Sequence, residues 1–317
     1  MEFSIATISE NGLKQVILTD PVSRTKIVVL PQYGAMLHAF VIEQDGGMFN
    51  VIDNYSNTDE IGKELSISFK SSKLSPFACR IPGGKYVYDG QEFELQHKFM
   101  DGSAIHGLLY NKAFKQTDSF FDEQKASVLF KYNYREEDEG YPFNYTCEIR
   151  YTLLPQNTLQ LQTTITNLDD LPIPMADGWH PYFTLGGKVD DWLLYFSANA
   201  LVEFDEKLVP TGRLLPYDTF LEPRKPGSTS FDNCFLLNIN EGYAACTLLN
   251  ESTGLQLNLF PDSTYPYLQL YTPPHRNSIA IENLSAAPDA FNNKMGLLML
   301  QPGHTHTFTV YYQISCQ

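Results

Sequence analysis

The chain has 317 residues and is 43% hydrophobic, enough to bury a sizeable core as one large all-β domain or two ordinary ones. Aromatic residues make up 13%, with 19 Tyr and 21 Phe, a composition that argues against disorder and suits many strands or a carbohydrate-facing surface. A formal charge of −15 argues against nucleic acid or an anionic membrane as partner, because both need a positive field, and against a phosphorylated substrate without a local arginine pocket.

The start, Met1-Glu2-Phe3-Ser4-Ile5-Ala6, has no basic region followed by a long apolar run, so no secretion signal or membrane span is expected. Cys79, Cys147, Cys234, Cys246 and Cys316 are odd in number and widely spaced, which frames neither disulfides nor a zinc site. A reduced, cytoplasmic protein is the expectation. Short strands are expected at 3–9 and 14–18 around the turn Glu10-Asn11-Gly12, then at 25–30 and 34–42. His38 falls inside the last of these runs and reads as a core or edge histidine. Asp89-Gly90 is a hairpin turn between 86–88 and 92–95.

Residues 126–135 and 143–154 are longer strands. In the second, Phe143, Tyr145, Cys147, Ile149, Tyr151 and Leu153 share one face, and Asn144, Thr146, Glu148, Arg150 and Thr152 share the other. This period of two predicts one packed side and one wet side. The charged run 135–140 between them reads as a solvated turn. Alternation resumes at 158–167, and further strands are expected at 191–197, 200–204, 243–249, 254–260, 266–272, 278–282 and 306–314. No stretch shows an amphipathic helix of useful length, and there is no linker, repeat or low-complexity tract. The whole chain, 1–317, is therefore expected to be a single all-β domain, a large antiparallel β-sandwich.

Several polar residues stand where local pattern does not demand them. Arg80 lies among apolar neighbours in Ser75-Pro76-Phe77-Ala78-Cys79-Arg80-Ile81-Pro82-Gly83-Gly84-Lys85, a tight loop by its proline and glycines. Its planar fork of donors suits sugar hydroxyls or a carboxylate, or it closes the loop internally. His106-Gly107 leaves room for a ligand to approach the backbone, although alone it reads as a turn histidine. In Asp177-Gly178-Trp179-His180-Pro181-Tyr182-Phe183, an extended backbone would put His180 and Tyr182 on one face and Trp179, Pro181 and Phe183 on the other. Glu282 follows Ile279 and Ile281 at a strand end, either as a solvated edge residue or as a positioned base. Asp232 is equally open, since such a residue often makes an Asx turn. The seven histidines form no metal constellation, and no phosphate-binding glycine loop, nucleophile elbow or nucleotide fingerprint is present.

Taken in order, four motifs resemble the aldose 1-epimerase (galactose mutarotase-like) family. They are Ser-Pro-Phe-Ala-Cys-Arg with Gly-Lys-Tyr, then Ile-His-Gly, then Gly-Trp-His-Pro-Tyr-Phe, and finally Ala-Ile-Glu with Ser-Ala-Ala-Pro-Asp-Ala-Phe-Asn. Glu139-Gly140-Tyr141-Pro142 and Phe231-Asp232 add support, and the resemblance runs from Gly34 to the final strand. It implies a β-supersandwich with a sugar cleft on one sheet and an aldohexose such as glucose or galactose as ligand. It also implies His180 as general acid and Glu282 as general base. Arg80 and His106 would orient the sugar, Asp232 would hold ring hydroxyls, and Gln269 would face the cleft. Tyr182, beside the histidine, is placed with the binding residues. Neither cofactor nor metal is expected, and the chain is expected to be a monomer or homodimer.

Three departures from the family pattern concern the binding shell. Cys79 stands where asparagine is usual, Asn283 replaces a proline, and Leu108-Leu109-Tyr110 follows His106-Gly107 without the common arginine. Ring opening needs one proton removed from the anomeric hydroxyl and one delivered to the ring oxygen. A carboxylate with reference pKa near ~4.3 and an imidazole near ~6.5 can share that work. The alternatives are a hexose-6-phosphate 1-epimerase, which needs several cationic side chains near Arg80, and a sugar-binding or sensing protein of the same fold without turnover.

Overall fold

The structure, a computed structural model, describes residues 1–316. The alternating run at 143–154 becomes the strand Asn144–Leu154, in which Tyr145, Cys147, Ile149, Tyr151 and Leu153 are fully buried. It lies third in an antiparallel sheet of eight. The order is Lys115–Phe121, Ala126–Arg135, Asn144–Leu154, Thr158–Asn167, Thr305–Cys316, Leu255–Pro261, Cys246–Asn250 and Leu193–Phe196. Its other face is less wet than expected, because Thr146 and Thr152 are also buried.

A second sheet runs Pro210–Pro216, Ala198–Phe204, Asp232–Leu237, Tyr267–Tyr271, Ile279–Leu284, Gly178–Trp179 and Lys73–Leu74, with Tyr182–Phe183 also pairing to Ile279–Leu284. Five strands between Ser4 and Asn50 form a third sheet in sequence order. The largest core cluster draws on all three, from Val29 and Phe40 through Ile149 and Val310 to Phe183 and Ile281. Sheet therefore packs on sheet, and burial of the alternating apolar faces is what holds the sandwich together. The two expected hairpin turns form with both central residues at positive φ, Asn11-Gly12 at 51° and 78°, Asp89-Gly90 at 49° and 76°.

Two expectations are corrected. Thr58–Ser68 is an α-helix, where no useful amphipathic helix was expected. Only Ile61 and Leu65, four residues apart, are buried from it, a stripe too narrow to register as periodicity. Its ends carry the signal instead. The Asn57 side chain accepts from Glu60 N at 3.0 Å, while Glu60 Oε2 accepts from Ser56 N at 2.7 Å, and Phe69 closes the helix in the left-handed region. The charged run 135–140 is not simply solvated either. Asp138 is 8% exposed, and its carboxylate accepts from the backbone N–H groups of Gln96, His97 and Gly140. The strand Lys115–Phe121 escaped detection because every residue in it is exposed, so no alternation marks it. The strand expected at 306–314 forms as Thr305–Cys316. All five cysteines are free, and among the described residues no helix is long and apolar enough to cross a membrane.

One ion pair lies wholly inside the sandwich. Lys73 Nζ donates to Asp177 Oδ1 at 2.6 Å with both side chains at 0% exposure, and Tyr265 OH donates to the same oxygen. Removing one partner strands the other charge in a dry interior. Lys73→Met is therefore expected to lower the unfolding free energy by about 3–5 kcal/mol in urea titrations, with a loss under about 1 kcal/mol counting against this account.

Candidate active site

The segment around His180 is held from both sides. Trp179 and Phe183 are buried in the core, as the extended-face reading expects, and Trp179 Nε1 donates to Thr163 Oγ1 at 3.3 Å. The backbone of His180 is tied twice to the neighbouring segment, its N–H to Ser72 O at 3.1 Å and its carbonyl to Ser71 N at 2.9 Å. On the opposite face the Tyr182 ring stacks against the His180 ring at 5.1 Å and 24°, while Tyr182 OH donates to Ser68 O at 3.1 Å. The imidazole is thus fixed by two backbone bonds and an aromatic neighbour, with 4% exposure left.

Glu282 arrives from the next strand. Ile279 and Ile281 are fully buried, and Glu282 is itself only 2% exposed, so it is no edge residue. Its Oε1 lies 3.2 Å from His180 Nε2. Ladder pairing aligns Glu282 with Gln269, and Gln269 with Cys234. Gln269 Nε2 donates to Asp232 Oδ1 at 2.9 Å, so that Glu282, Gln269 and Asp232 come from three adjacent strands across the cleft floor. Asp232 is therefore a floor residue of the cleft.

Arg80 and His106 enter from a separate two-stranded ladder, Arg80–Ile81 with Ala104–Ile105. Arg80 Nη1 donates to Asp101 Oδ2 at 2.6 Å, and its guanidinium lies 5.7 Å from the Phe99 ring centroid. His106 follows with φ 59°, its N–H bonded to Cys79 O, and its ring meets the His180 ring edge-on at 4.7 Å. The next residue must be glycine. Gly107 has φ 76°, and a Cβ there would lie 2.3 Å from Ser75 O.

All seven residues expected at the site, Arg80, His106, His180, Tyr182, Asp232, Gln269 and Glu282, line one cleft of about 650 Å³. Sequence reasoning missed its walls: Phe69, Phe99 and Tyr271, with Glu60 and Glu64 of the helix and Lys70 beside them. The capping pattern Asn57…Glu60 was the one legible signal for these residues.

The floor is dry, which alters its electrostatics. Burial, and then the nearby Asp232 charge, push the Glu282 carboxyl well above the ordinary carboxylate range. Burial drives His180 down to about 4 and, aided by the facing His180 and by Arg80, holds His106 well below the usual imidazole value. The reference values expected from sequence do not survive in this cleft. Asp232 is also raised by burial, against the opposing pull of Arg80 and the Gln269 hydrogen bond. His106 Nδ1, His180 Nδ1, Gln269 Oε1 and Glu282 Oε2 are buried without a hydrogen-bond partner in the protein. Four such atoms around one hollow are the signature of a polar ligand site.

This antiparallel sandwich is a galactose mutarotase-like fold. The aldose 1-epimerase family model matches residues 17–313, and the chain belongs to that family. A relative in Escherichia coli, the uncharacterized protein YihR, is 28% identical over 79% of this chain and 82% of its own length. Rat galactose mutarotase is 25% identical over 75% of this chain and 76% of its own. A galactose mutarotase-like protein from Clostridium acetobutylicum superposes with a TM-score of 0.88 over 100% of this chain and 99% of its own, at 16% identity, and shares the fold.

Gly107→Ala is expected to be destabilising and to displace His106, since neither its φ nor the Ser75 backbone leaves room for a methyl group. The measurement is thermal unfolding together with sugar binding by calorimetry, and an unchanged midpoint with unchanged binding would refute it.

Proposed function

We propose that this protein interconverts the α and β anomers of a free aldohexose, with His180 and Glu282 exchanging the protons. The observation that carries this reading is the pair itself. A buried imidazole and a buried carboxyl stand 3.2 Å apart at the floor of a cleft ringed by sugar-compatible donors and acceptors.

The anomeric hydroxyl and the ring oxygen are bonded to the same carbon. Two groups serving them must therefore sit within hydrogen-bond reach of neighbouring points, as this pair does. Opening removes the proton from the hydroxyl on C1, breaks the bond from C1 to the ring oxygen and protonates that oxygen. Rotation about C1–C2 turns the aldehyde over, and closure on its other face reverses both proton transfers. No electrons leave the sugar. The reaction needs one group holding a proton and one lacking it.

The dry floor favours that condition. Burial raises Glu282 and lowers His180, so the floor favours a proton on the carboxyl and a neutral imidazole. Transfer of that proton to His180 makes Glu282 the base and His180 the acid, and the opposite assignment serves the reverse direction. Arg80, His106, Asp232, Gln269 and Tyr182 hold and orient the ring hydroxyls in this reading. Both cations of the cleft are already paired, Arg80 with Asp101 and Lys70 with Asp53 at 2.7 Å, and Glu60 and Glu64 add negative charge beside them. This favours an uncharged sugar over a phosphorylated one.

Polarimetry on freshly dissolved α-D-glucose and α-D-galactose is the direct test. The native protein should accelerate the approach to equilibrium. His180→Asn and Glu282→Gln, each confirmed folded by circular dichroism, should lose about 10²–10⁴-fold in kcat. Buffer rates from native protein on both sugars would refute the reading.

The pH profile supplies a second check. Below about 4 His180 gains a proton while Glu282 keeps its own, so no acceptor remains and kcat/KM falls. On the alkaline side Glu282 loses its proton, no donor remains, and kcat/KM falls again at a pH above the ordinary carboxylate range. A profile whose acid limb lay near the reference imidazole value of ~6.5 would contradict the buried-pair account.

A further inference from the structure

The thiol of Cys79 has no part in the sugar chemistry, yet it shares the cleft floor. Cys79 is 8% exposed, has φ 53°, and is tied through its carbonyl to the His106 N–H. That bond holds the two side chains together at the end of a short ladder. Cys79 Sγ, one His106 ring nitrogen and one Glu282 oxygen all lie within 4.8 Å of one another. His106 and Glu282 are 8% and 2% exposed, and His106 Nδ1 and Glu282 Oε2 have no protein partner.

This donor set has a specific chemistry. A thiolate and a carboxylate together cancel the charge of a divalent cation, which a dry pocket requires. Mixed sulfur, nitrogen and oxygen donors suit Zn²⁺, whereas Mg²⁺ and Ca²⁺ prefer oxygen alone. Tetrahedral bonds of about 2.0–2.3 Å put donors roughly 3.3–3.8 Å apart, so side-chain shifts of up to about 1 Å would close the site. All three residues line the cleft together with His180.

We propose that Cys79, His106 and Glu282 form a three-ligand Zn²⁺ site whose open position faces the cleft, so that metal and sugar exclude each other. On binding, the Cys79 thiol and the Glu282 carboxyl each release a proton to the buffer as the zinc–sulfur and zinc–oxygen bonds form and the ion sheds water. Exclusion of sugar rests on the function proposed above, because it requires Glu282 and His106 to serve both ligands. Metal binding itself does not.

Co²⁺ is the probe of choice, added to the full chain with all thiols reduced. The expected result is a thiolate-to-cobalt charge-transfer band in the near ultraviolet that saturates at one equivalent and is displaced by Zn²⁺. Cys79→Ser should remove the band, and Cys316→Ser, which deletes the exposed thiol, should retain it. Zn²⁺ affinity by calorimetry should fall at least tenfold in Cys79→Ser, roughly the loss seen when only an outer partner of a metal ligand is removed. Circular dichroism confirms that each variant is folded. No band on native protein, or a band that survives Cys79→Ser, overturns the site. In the polarimetric assay Zn²⁺ should inhibit competitively with sugar, and full turnover at saturating Zn²⁺ overturns the exclusion. A native protein without turnover would sink the proposed function, while the cobalt spectrum would still decide the metal site.

Discussion

The position of the His180 ring depends on the ion pair buried beneath it. Lys73 and Asp177 have no contact with water: Lys73 Nζ also donates to Gly178 O, Tyr265 OH donates to the shared Asp177 oxygen, and the Asp177 backbone N–H donates to Ser285 Oγ. Lys73 also lies 4.6 Å from the Trp179 ring centroid. Three strand segments, Lys73–Leu74, Gly178–Trp179 and Ile279–Leu284, are thereby locked at the point where His180 and Glu282 emerge. Burial pushes the Asp177 carboxyl upward, while Lys73 and Tyr265 draw it back. An apolar pair of similar volume could pack there, but it would leave Gly178 O and Tyr265 OH without these partners. This polar plug fixes the registration of the strands rather than merely filling space.

The same dryness acts twice in the cleft. It favours the neutral forms of both His180 and Glu282. It also leaves several buried polar atoms unmatched, a standing cost that a sugar's hydroxyls can relieve. The helix Thr58–Ser68 completes the enclosure from outside the sheets, bringing aromatic Phe69 and the acidic pair Glu60 and Glu64 to the cleft.

The strands with strict alternation were legible because a half-buried sheet imposes a period of two, as 143–154 and 158–167 show. The paired turns at Asn11-Gly12 and Asp89-Gly90 were legible for an equally local reason, since few residues tolerate two successive positive φ angles. The exposed strand Lys115–Phe121 and the narrowly buried helix were not, because nothing local distinguishes an edge or a two-residue stripe from a loop.

The seven cleft-lining residues could be named from ordered motifs, and the chain by itself determined the alternating faces, the turns and the placement of His180 opposite Trp179. Tertiary structure alone decided what those residues become. Glu282, an edge carboxylate by local pattern, is buried because a neighbouring strand and the His180 segment close over it. Asp138, a surface charge by local pattern, is an anchor because three backbone N–H groups from two segments converge on it. Cys79 meets Glu282 across some two hundred residues of chain, a proximity no spacing rule could show. Local sequence fixes backbone preference, whereas burial and charge state depend on distant segments that only the packed sheets bring together.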